Sequence, residues 1–466
     1  MKNIFWKRER IEIMTALALF NYVFLGAEYL FDNMMALQTD SGGVVLAQSY
    51  VLGSSTVGFL LFGVLDGKLR ERAKKAGSAG AGVLAAVCLW GIQVHQNYGS
   101  TLAAGLILYV LLGIAGSLVH YRTACRYGME EHLAETVGVS YAIGLFLQFL
   151  ENNLIHNAAM EAVILTVAFW ALLFLVEKRK VAGSLMERNL YESDPIRHPY
   201  AAAVTLIFTV ALMTCIFATL DNAVTLGHAG GSMDIGQWPR LILAVSGLVS
   251  GVLFDYGKGR YRNLIMYCVT LLSTVCILVI VSGGSFLLGL IVFYLSAGFF
   301  VVFFSTGFVR LAGYMRVPQF WAGMGRAVNN LCAILIGSFS VALIQSGDST
   351  KIMIASIGLF VLISIAIYIY TVMGKTDVEL SDQERKQEEE QDYFSAFADT
   401  YALTEREQEV LKMLLASDEE VQEIANRLYI SRAMLYRYIS ALNKKTDTNS
   451  RIGLIQFYYT WKPEKG

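Results

Sequence analysis

Residues 285–309 read SFLLGLIVFYLSAGFFVVFFSTGFV, twenty-five positions without a charge or a proline. A helix of that length rises about 37 Å, enough to cross a hydrocarbon core about 30 Å thick. A surface helix of a soluble protein keeps a polar face, and this run has none. Eleven further apolar stretches lie roughly at 11–31, 43–65, 78–95, 100–121, 133–151, 158–176, 200–222, 239–255, 263–282, 319–344 and 351–373. Composition agrees. Of 466 residues, 55% are hydrophobic and only 16% charged, with mean hydropathy +0.50. A soluble globular chain is nearer a quarter charged. Disorder, a secreted disulfide scaffold and an ordinary soluble enzyme are excluded. The formal net charge of −1 means that any nucleic-acid signal must be local.

The links between spans carry charge on alternate sides. One side holds 21 Lys and Arg residues, among them Lys68, Arg70, Arg72, Arg122, Arg126, Lys178, Lys258, Arg260 and Arg310; the other holds only Arg240 and Lys351. Positive residues favour the cytoplasmic side, so both termini are expected in the cytoplasm, and an even number of spans agrees by putting them on one side. The basic segment Met1–Arg10 leads into an apolar stretch too long for a cleavable signal peptide and without a small-residue cleavage site, so none is expected.

The link at 177–199 divides the spans into six and six, with halves 1–176 and 200–373. The halves echo each other. Asp32-Asn33 ends span 1 and Asp221-Asn222 ends span 7; Gly63-Val-Leu and Gly251-Val-Leu end spans 2 and 8; Arg122 and Arg310 follow spans 4 and 10. The offset is 188 or 189 residues each time. This pattern reads as duplication of a six-helix unit with both copies in one orientation. The arrangement of residues 1–373 resembles the major facilitator superfamily. That family's loop after spans 2 and 8 has a Gly–Asp–Gly–Arg/Lys pattern, and two degenerate forms stand here, Gly63-Val-Leu-Asp66-Gly67-Lys68-Leu-Arg70 and Gly251-Val-Leu-Phe-Asp255-Tyr-Gly257-Lys258-Gly259-Arg260. The first has its Gly–Asp spacing one residue short, and the second has a displaced glycine.

After span 12 the composition changes. Residues 374–394 read as an acidic cytoplasmic linker, with eight acids and two bases in Thr376–Asp392. Residues 395–466 read as a separate small unit of four helices. Thr404 and Glu407 have the spacing of a capping box, and Val410, Leu411, Leu414 and Leu415 follow on one helical face. A second helix carries Val421, Ile424, Ala425 and Leu428. Ser431 is placed to cap a third, with Leu435, Ile439 and Leu442 on its apolar seam, and Ser450 a fourth, with Leu454, Ile455 and Tyr458. A short helix, a tight turn and a capped helix describe a helix-turn-helix.

The residues of this unit resemble the LuxR-type DNA-binding domain: Leu403-Thr-Glu-Arg-Glu407, Glu409-Val-Leu411, Glu423-Ile-Ala425, Leu428, Ile430-Ser431, Lys445 and Ser450-Arg451 with Leu454. The resemblance covers about 399–464 and implies a bacterial transcription regulator that binds double-stranded DNA and pairs as a homodimer, through Leu454 and Phe457 of the fourth helix. Phe457 reads equally as core. Where that family commonly has Thr-Val-Lys-x-His, this chain has Met434-Leu-Tyr436-Arg437-Tyr438, and Asp418 replaces a turn glycine, so no target sequence carries over. From Arg427 to Arg451 the net charge is +5 over 25 residues. A one-sided basic patch is what phosphate contact needs. The candidate DNA contacts are Arg427, Ser431, Arg432, Tyr436, Arg437, Lys444, Lys445 and Arg451. A solvated basic face on a protein-interaction module is the alternative.

In the spans, Glu28 and Asp32 are four apart and share a helix face, and Asp221 and Asn222 occupy the equivalent place on span 7. With Asn33 they are the candidate ligand-binding residues, since spans 1 and 7 usually face the central cavity in the resembled family. A polar or cationic ligand suits them; solvated helix ends are the alternative. Glu151 and His156 read as solvent-facing. Glu135 and Arg326 lie nearer the cytoplasmic side and either pair across the halves or snorkel. Tyr141, Phe146, Trp170, Phe299, Phe300, Phe303 and Phe304 read as packing or lipid-facing. Gly113, Gly116, Gly247 and Gly251 are placed to permit close helix approach. The six cysteines read as small packing residues. No nucleophile–base set, phosphate loop or metal-ligand spacing is present, so no catalytic residue, metal or cofactor is expected.

The fold class expected is therefore all-α: a twelve-span membrane helical bundle plus a C-terminal four-helix LuxR-type helix-turn-helix domain. The function expected is a one-component transcription regulator of the inner (cytoplasmic) membrane. It senses an unknown small-molecule ligand through the spans and binds DNA through the tail. A secondary transporter with a regulatory DNA- or protein-binding tail is the alternative.

Overall fold

Hydrocarbon cannot hydrogen-bond a backbone, so a chain this apolar satisfies its peptide groups within helices. Among the described residues before the acidic linker, twelve long helices follow in order: α1 (Arg8–Ala36), α2 (Ser41–Lys68), α3 (Glu71–Val94), α4 (Tyr98–Tyr127), α5 (Leu133–Leu154), α6 (Ala158–Glu177), α7 (Pro199–Ala229), α8 (Trp238–Asp255), α9 (Arg262–Val281), α10 (Phe286–Ala312), α11 (Met324–Ser346) and α12 (Ser349–Met373). The structure, a computed structural model, describes residues 8–177, 196, 198–231, 238–284, 286–346, 348–374, 393–416 and 421–461. Eleven of the twelve helices are apolar and long enough to cross a membrane. Most of the 177–199 link, most of the acidic linker, Asp418 and the first seven residues lie outside the described residues.

The chain divides into two compact units, Met1–Lys375 and Thr376–Gly466. In the first, span 11 differs from its expected extent of 319–344. Pro318 opens a single helical turn, Pro318–Trp321, and α11 starts only at Met324. The break lies at Gly323, which abuts Phe59 of α2 and Ser117 of α4: an added Cβ would lie 2.9 Å from the Phe59 ring.

The two halves meet where glycines remove bulk. Gly138 of α5 faces Gly247 and Gly251 of α8, and a Cβ on Gly251 would lie 2.7 Å from the Ala134 carbonyl oxygen. The carboxylate of Asp255, at the end of α8, accepts the Glu135 backbone N–H at 2.7 Å. It thereby satisfies an orphan donor in the first turn of α5, where the helix dipole favours an anion. Past Asp255 the chain reverses through three left-handed residues, Gly257, Lys258 and Gly259, at φ +60°, +60° and +82°. Glu135 itself pairs within the first half. The fully buried Arg10 of α1 approaches it at 3.4 Å and donates to Thr136 Oγ1 at 3.0 Å.

The second unit is built on helices 393–400 (α13), Glu405–Ala416 (α14), Val421–Arg427 (α15), Arg432–Thr446 (α16) and Arg451–Thr460 (α17). The capping box forms: Glu407 accepts the Thr404 N–H at 2.7 Å, and Thr404 Oγ1 accepts the Glu407 N–H at 3.4 Å. Ser431 and Ser450 cap α16 and α17 by accepting from Met434 and Gly453. Leu411, Ile424, Leu435, Leu442 and Leu454 form the buried seam where the helices meet. At one edge is an aromatic clasp that the four-helix reading lacked. The Tyr393 hydroxyl donates to the Tyr458 carbonyl at 2.8 Å and also to that of Trp461. Phe397 is fully buried among Tyr401, Phe457, Tyr458 and Trp461. Phe457 is thus partly buried in the core.

Gly251→Val forces side-chain bulk into the α5–α8 contact, and overpacking of this kind costs about 1–3 kcal/mol. The thermal unfolding midpoint of the detergent-solubilised chain should fall for this variant and should not fall for Gly67→Ala, whose surroundings are empty to 4 Å.

Candidate functional site

A cavity of about 140 Å³ lies between the two halves of the membrane unit. Glu28 and Asp32 of α1, Asp221 of α7, Arg240 of α8 and Arg326 of α11 all line it, with Gln48, Asn329 and Asn330 among the amides. Charges within spans cost about 2.5–3.5 kcal/mol each at mid-bilayer and less near the ends, so five around one cavity make it the candidate site. Gln48 Nε2 donates to Glu28 Oε1 at 2.7 Å. Asp32 is 2% exposed, and neither of its carboxylate oxygens accepts a hydrogen bond from any described residue. Arg326 donates to Asn21 Oδ1 at 3.3 Å, and its guanidinium lies 5.6 and 5.5 Å from the ring centres of Phe24 and Phe304. Asn330 donates to Ser55 Oγ at 2.8 Å, tying α11 to α2.

The aromatic walls include Phe24, Tyr141, Phe217, Phe293, Tyr294 and Phe300. Phe217 and Phe300 stack at 4.6 Å with 11° between planes. Tyr141 and Phe300 therefore line the cavity, whereas Phe146 and Trp170 are exposed on the bundle surface and Phe299, Phe303 and Phe304 lie outside the lining.

Of the five candidate ligand residues, Glu28, Asp32 and Asp221 meet at the cavity. Asn33 and Asn222 do not. Asn33 Oδ1 lies 3.2 Å from His228 Nε2, and Tyr29 stacks on the same imidazole at 5.7 Å, joining the ends of α1 and α7. Asn222 is buried on α7 outside the lining. Arg240, counted by sequence as one of two outer loop charges, is instead 7% exposed and faces the cavity. Its one visible signal was to be a lone arginine beside Pro239 at the head of an apolar run. Glu151 is 5% exposed rather than solvent-facing, because α5 carries it past its expected end at 151 to Leu154, against Gly26 of α1.

In the second unit, α16 buries Leu435, Ile439, Leu442 and Thr446 and exposes Arg432, Tyr436, Arg437 and Lys444. Arg432 folds over the Tyr436 ring, 5.6 Å from its centre. Arg427 and Ser431 are exposed at the turn entering α16, and Arg451 is half-buried at the start of α17. Ser431 Oγ is taken by its cap. Tyr429, in that turn, is 96% exposed with φ +54°, a position that sequence reading missed. Lys445 is held rather than presented: its Nζ donates to Glu407 Oε2 and to the Ala402 carbonyl, each at 2.7 Å.

Residues 401–458 match the model of a family described as bacterial regulatory proteins, luxR family. The C-terminal unit is a LuxR-type DNA-binding domain. No curated protein matches the chain. Solved structures match the membrane unit. The human organic anion transporter MFSD10 (TETRAN) is 17% identical with a TM-score of 0.54, over 78% of this chain and 100% of that one. A major facilitator superfamily transporter, FucP, in the outward conformation is 13% identical with a TM-score of 0.55, over 79% of this chain and 99% of that one. The E. coli fucose:proton symporter FucP is likewise 13% identical, with a TM-score of 0.52, over 79% and 98%. At these identities the likeness is one of fold, and the membrane unit has the major facilitator fold.

The Glu407–Lys445 pair gives the DNA-binding unit a pH dependence. Burial alone would raise the Glu407 pKa, but hydrogen bonds from Lys445 and from the Thr404 amide and hydroxyl outweigh it and hold the carboxyl below its usual range. A depressed carboxyl adds stability above its unfolded pKa of about 4.3, and that stability is lost as pH falls through the folded value. Urea unfolding of residues 376–466 should show this loss between about pH 5 and pH 3, and less of it in Glu407→Gln. Lys445→Met should destabilise the unit by about 1–3 kcal/mol at neutral pH, because it leaves a buried acceptor short of a partner.

Proposed function

We propose that the chain is a membrane-bound one-component transcription regulator. The twelve-helix unit binds a small molecule in the cavity between its halves, and the C-terminal unit binds double-stranded DNA. One observation carries the reading: a cavity lined by charged side chains from both halves stands in the same chain as a LuxR-type domain. A ligand that touches α1 on one side and α8 and α11 on the other favours one arrangement of the halves over another, and only such differential binding shifts a conformational equilibrium. In this reading both termini lie in the cytoplasm, the side that the loop charges favour, and the spans lie in the inner membrane. Pairing of two DNA-binding units on a two-fold site makes the active species a homodimer.

Arg432 and Arg437 sit on the exposed face of α16, and they, with Tyr436, are the residues assigned to groove or phosphate contact. Arg427, Lys444 and Arg451 position the phosphate backbone, with Ser431 at the helix entry.

The carboxylates of the cavity also suit a secondary transporter with a regulatory tail. Solute uptake into proteoliposomes separates the two: gradient-driven uptake that vanishes in Asp32→Asn and Asp221→Asn would establish transport.

For DNA binding, residues 376–466 should select specific genomic fragments, with log affinity falling linearly against log salt concentration. Arg432→Ala with Arg437→Ala should reduce that slope by about two if both contact phosphates, or cost about 1–3 kcal/mol at defined base positions if they read bases. Affinity unaltered by the double variant would sink the assignment.

A further inference from the structure

The cavity presents both signs of charge without pairing them. Asp32 is 2% exposed and receives no hydrogen bond from a described residue. Arg240 is 7% exposed, its Nε has no partner, and no described carboxylate comes within ion-pair distance of it. Two of the other three charges are better provided for. Glu28 is held by Gln48, and Arg326 is held by Asn21 and two aromatic rings. Asp221 of α7 lines the same space but is only half-buried. Asp32 is thus the fully buried acid, and Arg240 the buried guanidinium without a carboxylate in reach, that face this space with pairing capacity unspent. A charge removed from water without a partner costs several kcal/mol. A ligand of one sign relieves only one of them.

We infer that the cavity takes a small zwitterion, an ammonium and a carboxylate on a compact apolar body. This inference rests on the reading of the cavity as a ligand site and deepens it. The ammonium lies against Asp32 on α1, and the carboxylate against Arg240 on α8, so the two ends of the ligand engage different halves of the bundle. The stacked Phe217 and Phe300 and the neighbouring Phe293 enclose the apolar body. Size sets the class. A cavity near 150 Å³ holds a benzene-sized body, and this one measures about 140 Å³. The ligand is therefore a small one, and leucine, whose charged ends reach toward Asp32 and Arg240 beyond the apolar body, serves as the probe of this class.

The test uses the full chain in lipid nanodiscs and three probes of one shape: leucine, isopentylamine with only the ammonium, and 4-methylpentanoate with only the carboxylate. Calorimetric titration should show leucine binding, with each single-charge analogue weaker by about ten-fold or more. Arg240→Gln should bring leucine down to the affinity of the amine and leave the amine unaffected. Asp32→Asn should bring leucine down to the affinity of the acid and leave the acid unaffected. Unchanged thermal unfolding of both variants, and partial recovery in Arg240→Lys, exclude a folding defect; the three probes on the unaltered chain decide the matter by themselves if a variant fails to fold. Amine binding as tight as leucine would mean a cation site, acid binding as tight would mean an anion site, and binding of none of the three up to about 10 mM would exclude an amino-acid-sized zwitterion. Each of these overturns the proposal. Leucine that binds with the expected charge pattern but leaves DNA occupancy of the full chain unchanged upholds the ligand class and overturns sensing.

Discussion

A polar group in hydrocarbon has no water to turn to, and the membrane unit is organised by that constraint. It makes every span a helix. It also makes every charge within a span costly, so that such charges persist only where protein or a bound molecule can answer them. Arg10 is answered by Glu135 and Thr136, and the first turn of α5 by Asp255. Neither carboxylate oxygen of Asp32, nor the Nε of Arg240, has a hydrogen-bond partner among the described residues. The same physics that dictates the fold therefore marks the cavity.

Glycine has a complementary part. Helices in lipid gain nothing from burying apolar surface against each other, so they associate by close packing. Gly138, Gly247 and Gly251 let α5 and α8 approach until backbone meets backbone, and Asp255 then fixes their register at one end. The halves are also joined by the bond from Asn330 of α11 to Ser55 of α2. Such contacts are lost abruptly with small displacements, which suits two discrete arrangements better than a continuum.

The fold was legible because its signals repeat. Twenty-residue apolar runs, the alternating charge of the loops and the capping residues Thr404, Ser431 and Ser450 are local features that report local structure. The cavity was legible by half. Glu28, Asp32 and Asp221 announced themselves as acids in apolar helices. Arg240 did not, because a cation at the head of a span looks the same whether it points to water or turns inward. Asn329 and Asn330 were lost among the ordinary polar residues of span 11, and only the packing of α11 on α2 and α7 reveals which way they face. Glu151 was misread because the end of a helix, and hence what is buried, depends on neighbours that sequence spacing does not contain. In the DNA-binding unit the seam residues followed from periodicity, whereas the engagement of Lys445 by Glu407 spans 38 positions and has no local trace.

The aromatic clasp at Tyr393 has a consequence for where this domain starts. The stretch that matches the luxR family opens at residue 401, yet Phe397 is fully buried and Tyr393 is bonded to the carbonyl oxygens of Tyr458 and Trp461. A polypeptide trimmed to the matching stretch would expose the rings of Phe457 and Tyr458 and strip a cover from the last helix. The inherited motif and the folding unit therefore have different borders. The extra turns upstream are as much a part of the domain as its reading helix, and they close it into a loop whose beginning and end are stitched together.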